Sequence, residues 1–393
     1  MTTMAIEVVT GNHAAGYALS VAGEANRTGR GVVCGIYPIT PQTEIVERVA
    51  NFNFTKGHVV AVESEHSAMG VCIGASLNGA RSFTASSSNG LAYMAENVLV
   101  AGFYRLPIVM VAVNRTLGPP WNIWADQGDT LMFRDAAWIQ LYCENNQEVV
   151  DSIILGFRLG EDKRVLLPVM VIMDAFIISH TLMETELPSQ ELVDAYLPPM
   201  SLPHRMDINH PVTVGGLTWP LETASSRVEV DRVMKLVPSV FEEHLRGFET
   251  HFGRPIQGAL ESLYTDDAEL IVIASGSIAT TAKKVVSERR AAGEKIGMVR
   301  VKMFRPFPNE ELKRVTRGAS KIAVLDRNYS AGTGGIFWQE IRASLQGKLD
   351  ALIQNYLTGV GGMDVTPRVV SDCIDDLWRR NEMEHPVWKG VGV

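Results

Sequence analysis

Cysteine is scarce. The chain has four in 393 residues, Cys34, Cys72, Cys143 and Cys373, and no two are spaced as C-x-x-C. They sit singly in or near apolar stretches such as Val32-Val33-Cys34 and Met69-Gly70-Val71-Cys72. That reads as small buried hydrophobes in a reducing compartment. The ligand spacing for a zinc site or an iron–sulfur cluster carried by this chain alone is missing. Also absent is any uncharged apolar run of the roughly 18 residues that a membrane helix needs. Basic runs are lacking too, and 36 basic against 44 acidic residues leave a formal charge of -8, which argues against a nucleic-acid partner. The start, Met1-Thr2-Thr3-Met4-Ala5-Ile6-Glu7, has no basic flank leading into an apolar core, so no signal peptide is expected and the protein is expected to be cytoplasmic. There is no P-loop, metal-ligand helix, nucleophile elbow, internal repeat or low-complexity tract.

What is present is ordinary globular composition, 46% hydrophobic and 20% charged, with 34 glycines and 18 prolines for tight turns. The length suits two or three domains. Short apolar runs alternate with helical patterns: strands near residues 31–37, 58–62, 81–85, 106–113 and 165–173, and helices near 11–27, 44–51, 91–101 and 146–161. Asn12 is a candidate cap for the first helix. Leu106-Pro107-Ile108-Val109-Met110-Val111-Ala112-Val113 does not alternate, as expected of a central parallel strand. The pattern predicts an α/β fold with a doubly wound parallel sheet over residues 1–182. A proline-marked linker and long polar helices fill 183–265. A second α/β domain occupies 266–393 and closes with a strand near 351–357.

The motifs that could carry chemistry follow strands, where ligands bind in such sheets. The first is Gly35-Ile36-Tyr37-Pro38-Ile39-Thr40-Pro41-Gln42-Thr43-Glu44, a strand, turn and helix start. Thr40 or Thr43 can cap the helix and Pro41 suits its first turn. Read this way the turn is either a capped βα connection or an anion site for a group such as a carboxylate. The second is Glu63-Ser64-Glu65-His66, whose carboxylates either cap a helix or meet a cofactor nitrogen. The third is Asn114-Arg115. There the arginine either clamps a carboxylate in a two-pronged hydrogen bond or pairs with a nearby acid. The loop beyond carries Trp121 and Trp124, which pack on the neighbouring domain, on a partner subunit or on substrate. The glycine-rich turn Ser330-Ala331-Gly332-Thr333-Gly334-Gly335 has the look of a phosphate cradle but lacks the dinucleotide fingerprint.

Taken in order, Tyr37-Pro38-Ile39-Thr40-Pro41, Glu63-Ser64-Glu65-His66-Ser67-Ala68-Met69, Phe83-Thr84-Ala85-Ser86-Ser87-Ser88-Asn89-Gly90-Leu91, Leu106-Pro107-Ile108-Val109 and Asn114-Arg115 resemble the α subunit of the pyruvate:ferredoxin oxidoreductase family, the 2-oxoacid:acceptor oxidoreductases. Arg134-Asp135, Val165-Leu166-Leu167-Pro168 and Phe304-Arg305-Pro306-Phe307-Pro308 extend the likeness over nearly the whole chain. The resemblance implies a thiamine-diphosphate-binding domain of the pyrimidine type, followed by a domain like the transketolase C-terminal domain. It implies CoA-dependent oxidative decarboxylation of a 2-oxo acid to an acyl-CoA and carbon dioxide. A β subunit would supply the diphosphate half of the thiamine site with Mg2+. The γ and δ subunits would carry [4Fe-4S] clusters, with ferredoxin or an NAD-linked subunit as acceptor.

Carried over residue by residue, the resemblance gives Glu65 the contact to the aminopyrimidine ring, beside Tyr37 and Pro38. A carboxylate on a ring nitrogen favours the imino tautomer, a base for the thiazolium proton. Thr40 and Arg115 would meet the substrate carboxylate and oxo group, and Trp121 and Asn122 would face substrate. No metal ligand is implied in this chain. The loop departs from the pyruvate pattern at Trp121 and at Gln127, where relatives carry histidine. That opens a bulkier substrate, branched or aromatic, with phenylglyoxylate as one example. A non-oxidative thiamine enzyme subunit (decarboxylase or transketolase type) and a noncatalytic assembly subunit are the alternatives.

Overall fold

β-branched and apolar runs build two parallel sheets, here described from a computed structural model that covers residues 4–391. The first sheet has seven strands in the order Met303–Arg305, Ile139–Tyr142, Val169–Asp174, Ile108–Asn114, Arg81–Ser86, Val32–Ile36 and Gly57–Ala61. All pair in parallel except Met303–Arg305, which runs antiparallel to Ile139–Tyr142. Ile108–Asn114 is buried at every position. It therefore reads as a continuous apolar run rather than an alternating one. The second sheet has six strands in the order Val387–Lys389, Leu352–Thr358, Lys321–Asp326, Leu270–Ala274, Ile296–Val301 and Leu260–Leu263, the last antiparallel to its neighbour. Two doubly wound α/β layers result, as the strand and helix alternation predicts.

The differences from the sequence reading have local causes. Thr10, not Asn12, caps the helix Gly11–Glu24; Asn12 lies inside it, buried, and its Nδ2 donates to Pro41 O and Glu44 Oε2, both at 2.6 Å. The helix near 91–101 is two helices, Ser88–Tyr93 and Ala95–Phe103. The stretch read as an extended linker contains the strand Met183–Pro188, paired antiparallel with Met4–Val9, and the helix Gln190–Tyr196. Exposed Ile6 and Val8 blur the hydrophobic signal of that strand pair. Residues 220–252 form one helix, with Pro238 inside it. The second unit does not close near residue 357. Helix Pro367–Arg379 follows, capped by Thr366, and then strand Val387–Lys389.

A buried ion-pair cluster joins the two halves. Arg300 and Lys302, at the end of strand Ile296–Val301, have no exposed side-chain surface. Arg300 donates through both terminal nitrogens to Glu148, at 2.8 and 2.9 Å, and through Nε to Glu261 at 2.8 Å. Lys302 Nζ lies 3.0 Å from Glu148. Glu148 stands in the first turn of helix Asn146–Gly160. Burial alone would raise its pKa, but Lys302 and Arg300 hold its carboxyl down at about 2. A carboxylate depressed in this way contributes stability above its unfolded pKa, and the contribution is lost as pH falls toward the folded value.

Arg300→Ala leaves Glu148 buried with Lys302 as its remaining cation. Urea denaturation should show a loss of about 3 kcal/mol, the lower end of the cost of stranding a buried charge. A loss no larger than that of an exposed ion pair would contradict this account.

Candidate active site

The carboxyl ends of parallel strands share one edge of the sheet, and the order of the first sheet places a reversal there. From Val32–Ile36 the chain steps outward to Gly57–Ala61, then returns to pair Arg81–Ser86 on the other side. Such reversals leave a crevice suited to a ligand. The turns beyond these strands carry Tyr37 to Gln42, Ser64 and Glu65, Ser87 to Gly90, and Arg115.

Glu65 is the first residue of helix Glu65–Leu77, with Ser64 as its cap; Ser64 Oγ accepts the Ser67 amide at 3.3 Å. Glu63 instead accepts the Ser67 hydroxyl and is exposed. The two glutamates therefore divide the alternatives left open above: Glu63 serves the helix start, and Glu65 points to a different environment. The residue is 6% exposed, and its side chain takes no hydrogen bond from any described residue. It lies over Gly90, where a Cβ would fall 2.6 Å from Glu65 Oε1 and 2.5 Å from Ser86 Oγ. Ser86 Oγ is itself buried without a partner. A buried carboxylate and an orphaned hydroxyl thus converge on a spot kept clear by a glycine. Buried polar groups need partners, and this pair has the donor and acceptor capacity to hold a polar ring. Ser86 and Gly90 were legible only as a polar turn. His66 is half-buried and lies 3.9 Å from Glu96, which fits a structural role.

Arg115 gathers the second cluster. Its Nη1 donates to Thr40 O at 2.7 Å and its Nε to Asn122 O at 3.2 Å. Thr40, Arg115 and Asn122 therefore meet, while Nη2 makes no hydrogen bond among the described residues. The contact to Thr40 uses its carbonyl, which leaves the exposed Thr40 hydroxyl uncommitted. Tyr37 is half-buried and Pro38 exposed on the same turn. The helix after this turn starts at Thr43, with Gln42 as its cap residue. Thr40 and Thr43 do not cap it, and Pro41 lies before it. The Gln42 side chain is spent on Tyr37 O at 2.9 Å, so the start has no side-chain cap.

The arginine is oriented from below by Asp129, fully buried, which accepts the amides of Ser88 at 2.8 Å and Arg115 at 3.0 Å and the Asn114 side-chain amide at 2.6 Å. One carboxylate thus ties together the ends of two adjacent strands. Burial pushes its pKa up to about 7 against the pull of those donors.

The loop residues separate. Trp121 is 67% exposed and makes no side-chain hydrogen bond among the described residues. Trp124 packs on Phe176 in a tilted arrangement, ring centroids 4.8 Å apart, and lies against Gly362 of the second half. Gln127 is buried at 1% exposure in the seam between the halves, its backbone N–H donating to Arg327 O at 3.0 Å. It does not face Thr40 or Arg115, so the departure from the expected pattern at this position bears on how the halves dock. The glycine-rich turn is no phosphate cradle. Asp326 fills the start of helix Ile336–Leu345, accepting the amides of Phe337 and Trp338 at 3.2 and 3.3 Å, and a carboxylate there repels an anion. The four cysteines are all buried.

Residues 24–246 match the family model described as pyruvate flavodoxin/ferredoxin oxidoreductase, thiamine diphosphate-binding, and residues 268–370 match pyruvate:ferredoxin oxidoreductase core domain II. The chain is 41% identical over 382 residues to pyruvate synthase subunit PorA of Methanothermobacter thermautotrophicus, covering 96% of each. It is 42% identical over 377 residues to ketoisovalerate oxidoreductase subunit VorA of Pyrococcus abyssi, covering 94% of this chain and 93% of that one. Among solved structures it is similar in fold to the 2-oxoglutarate:ferredoxin oxidoreductase from Magnetococcus marinus with 2-oxoglutarate, coenzyme A and succinyl-CoA bound (TM-score 0.72, 20% identity). That match takes in 95% of this chain and spans 65% of the other's length. A split-gene transketolase shares the fold at TM-score 0.53 and 10% identity, over 94% of this chain and 98% of that one.

Because the folded pKa of Asp129 lies above its unfolded value, the folded state binds the proton more tightly. The contribution of this group to stability should therefore grow as pH falls from about 7 toward 4. Thermal melts of Asp129→Asn across that range should lack this rise relative to the parent chain. Identical pH slopes in the two chains would contradict the assignment.

Proposed function

This chain belongs to the pyruvate:ferredoxin oxidoreductase family, as a subunit of a thiamine-diphosphate-dependent 2-oxoacid oxidoreductase, and from that premise we propose that it supplies the pyrimidine half of a thiamine site and the carboxylate-binding wall of a 2-oxo acid site. The observation that carries the reading is the buried Glu65 carboxylate, with orphaned Ser86 Oγ, over the cleared space at Gly90. Glu65 and Ser86 would hold the aminopyrimidine ring, and Tyr37 and Pro38 would border it. Thiamine diphosphate, when bound, supplies the nucleophilic carbon and the electron sink for decarboxylation. Glu65 holds a proton at the ring nitrogen, in a site dry enough for that hydrogen bond to be strong. The free Nη2 of Arg115 and the Thr40 hydroxyl take the substrate carboxylate and oxo group, with Asn122 bracing the arginine.

The overall change is a 2-oxo acid and coenzyme A going to an acyl-CoA, carbon dioxide, one proton and two electrons. The electrons pass to [4Fe-4S] clusters in γ and δ subunits, then to ferredoxin or an NAD-linked acceptor. The diphosphate and its Mg2+ are held by a β subunit. Exposed Tyr93, Leu99, Leu117, Trp121, Ile123 and Met132, carried on the turns and helices around the crevice, offer an apolar surface of the kind such a partner covers. With Gln127 in the seam between the halves, the departure from the pyruvate pattern rests on Trp121 alone. That favours pyruvate or a branched-chain 2-oxo acid over an aromatic one such as phenylglyoxylate.

In the reconstituted complex, Glu65→Gln should lower kcat by about 100-fold or more, the usual loss for a positioned proton-transfer group. Turnover at the parent rate with thiamine diphosphate bound would favour an assembly subunit instead. The chain by itself should show no turnover; activity without partners would overturn the divided site. A panel of pyruvate, 3-methyl-2-oxobutanoate and phenylglyoxylate, assayed with and without coenzyme A, should show CoA-dependent turnover with an aliphatic acid highest. CoA-independent release of carbon dioxide at the same rate would favour a non-oxidative enzyme.

A further inference from the structure

The loop that braces Arg115 is closed on itself and then fastened to the other half of the chain. The Thr116 amide donates to Trp124 O at 3.0 Å, which seals the loop base and leaves Gly118 to Trp121 as its tip. Below that seal, one residue of the second half meets the loop with both its backbone groups. Gly361 O accepts the Asn122 side-chain amide at 3.2 Å, and the Gly361 amide donates to Asp126 Oδ2 at 3.0 Å. The other Asp126 oxygen accepts the Gly128 amide at 2.9 Å, so this buried carboxylate is committed on both sides and faces no open space.

The turn is built for this contact. Gly361 and Gly362 have φ of +67° and +87°, conformations that side chains strain. A Cβ at Gly362 would fall 2.0 Å from that of Trp124. Asn122 uses all three of its ends: Nδ2 on Gly361, Oδ1 on the Trp124 amide at 3.0 Å, and its carbonyl on Arg115 Nε. An unbroken series of hydrogen bonds therefore runs from Asp126 through Gly361 and Asn122 to Arg115 and Thr40.

We propose that Asp126 and Gly361 are positioning residues for 2-oxo acid recognition, through which the C-terminal half of the chain sets the aim of the Arg115 guanidinium. This rests on the reading of Arg115 as the carboxylate clamp. Neither residue touches substrate. Asp126 keeps Gly361 in register, Gly361 keeps Asn122 from rotating, and Asn122 keeps Nε of Arg115 occupied so that Nη2 stays turned to the substrate. Loss of the fastening misdirects the clamp without touching the Glu65 side of the site.

The test uses the reconstituted complex and the best substrate of the panel. Asp126→Ala should raise KM for the 2-oxo acid about tenfold or more while kcat changes by less than about threefold, the pattern of lost substrate binding. The KM for coenzyme A and the affinity for thiamine diphosphate should not move. Asp126→Asn, which keeps one acceptor, should fall between. If Asp126→Ala fails to assemble, Gly361→Ala decides: the nearest atom to its Cβ is Asn122 Nδ2 at 3.7 Å, so the change acts through the backbone, and the same KM rise is expected. A lowered melting temperature with KM unchanged, or an equal loss of thiamine diphosphate affinity, would overturn the proposal. A parent complex inert toward every 2-oxo acid would instead strike the functional reading beneath it.

Discussion

Glu148 is a carboxylate surrounded by protein, and among the described residues the cations that make its burial tolerable come from the other half of the chain. Arg300 and Lys302 reach it from the second sheet, and the geometry is two-pronged. Such a cluster is exacting, because each ion has lost its water and depends on the others. It therefore holds the two halves in one relative position. The hydrogen bonds from Gly361 to Asn122 and Asp126 can form only in that position. So can the contact of Asp174 with the Ser277 amide, at 2.9 Å, across the same seam. The loop that braces Arg115 thus depends on an ion cluster in which it takes no part.

The site itself shows a division of labour. Glu65, Ser86 and Gly90 form a buried group, while Thr40 is exposed and Arg115 and Asn122 are partly so. Asp129 is the hinge pin between them, since it grips both the Ser88 amide that begins the helix carrying Gly90 and the Arg115 amide. A single buried carboxyl thus fixes the separation of the Glu65 group from the Arg115 group.

Much of this was legible in the sequence, and the reasons are physical. Central parallel strands are buried on both faces, so Ile108–Asn114 and Val169–Asp174 stand out as unbroken apolar runs. Ligands bind just past the ends of such strands, which is why Glu65, Arg115 and Thr40 could be singled out as candidates. Met4–Val9 and Met183–Pro188 were missed because they pair mainly with each other, with exposed residues in both. Ile139–Tyr142 was missed because four residues are too few to show a period. The glycines of residues 330–335 made that turn look like an anion site, when the helix start beyond it is filled by the chain's own Asp326 carboxylate. Gln127 and Ser86 were ambiguous for a different reason: what they face depends on residues far away in the sequence.

The strand Met303–Arg305 belongs by position to the second half of the chain, yet it forms the edge of the first sheet against Ile139–Tyr142. On a ribosome, the first sheet emerges long before its last strand does. Until then Ile139–Tyr142 is a bare edge, with unpaired amides and carbonyls open to any other extended segment. The order of synthesis therefore leaves the first sheet one strand short until the second half of the chain has begun to emerge.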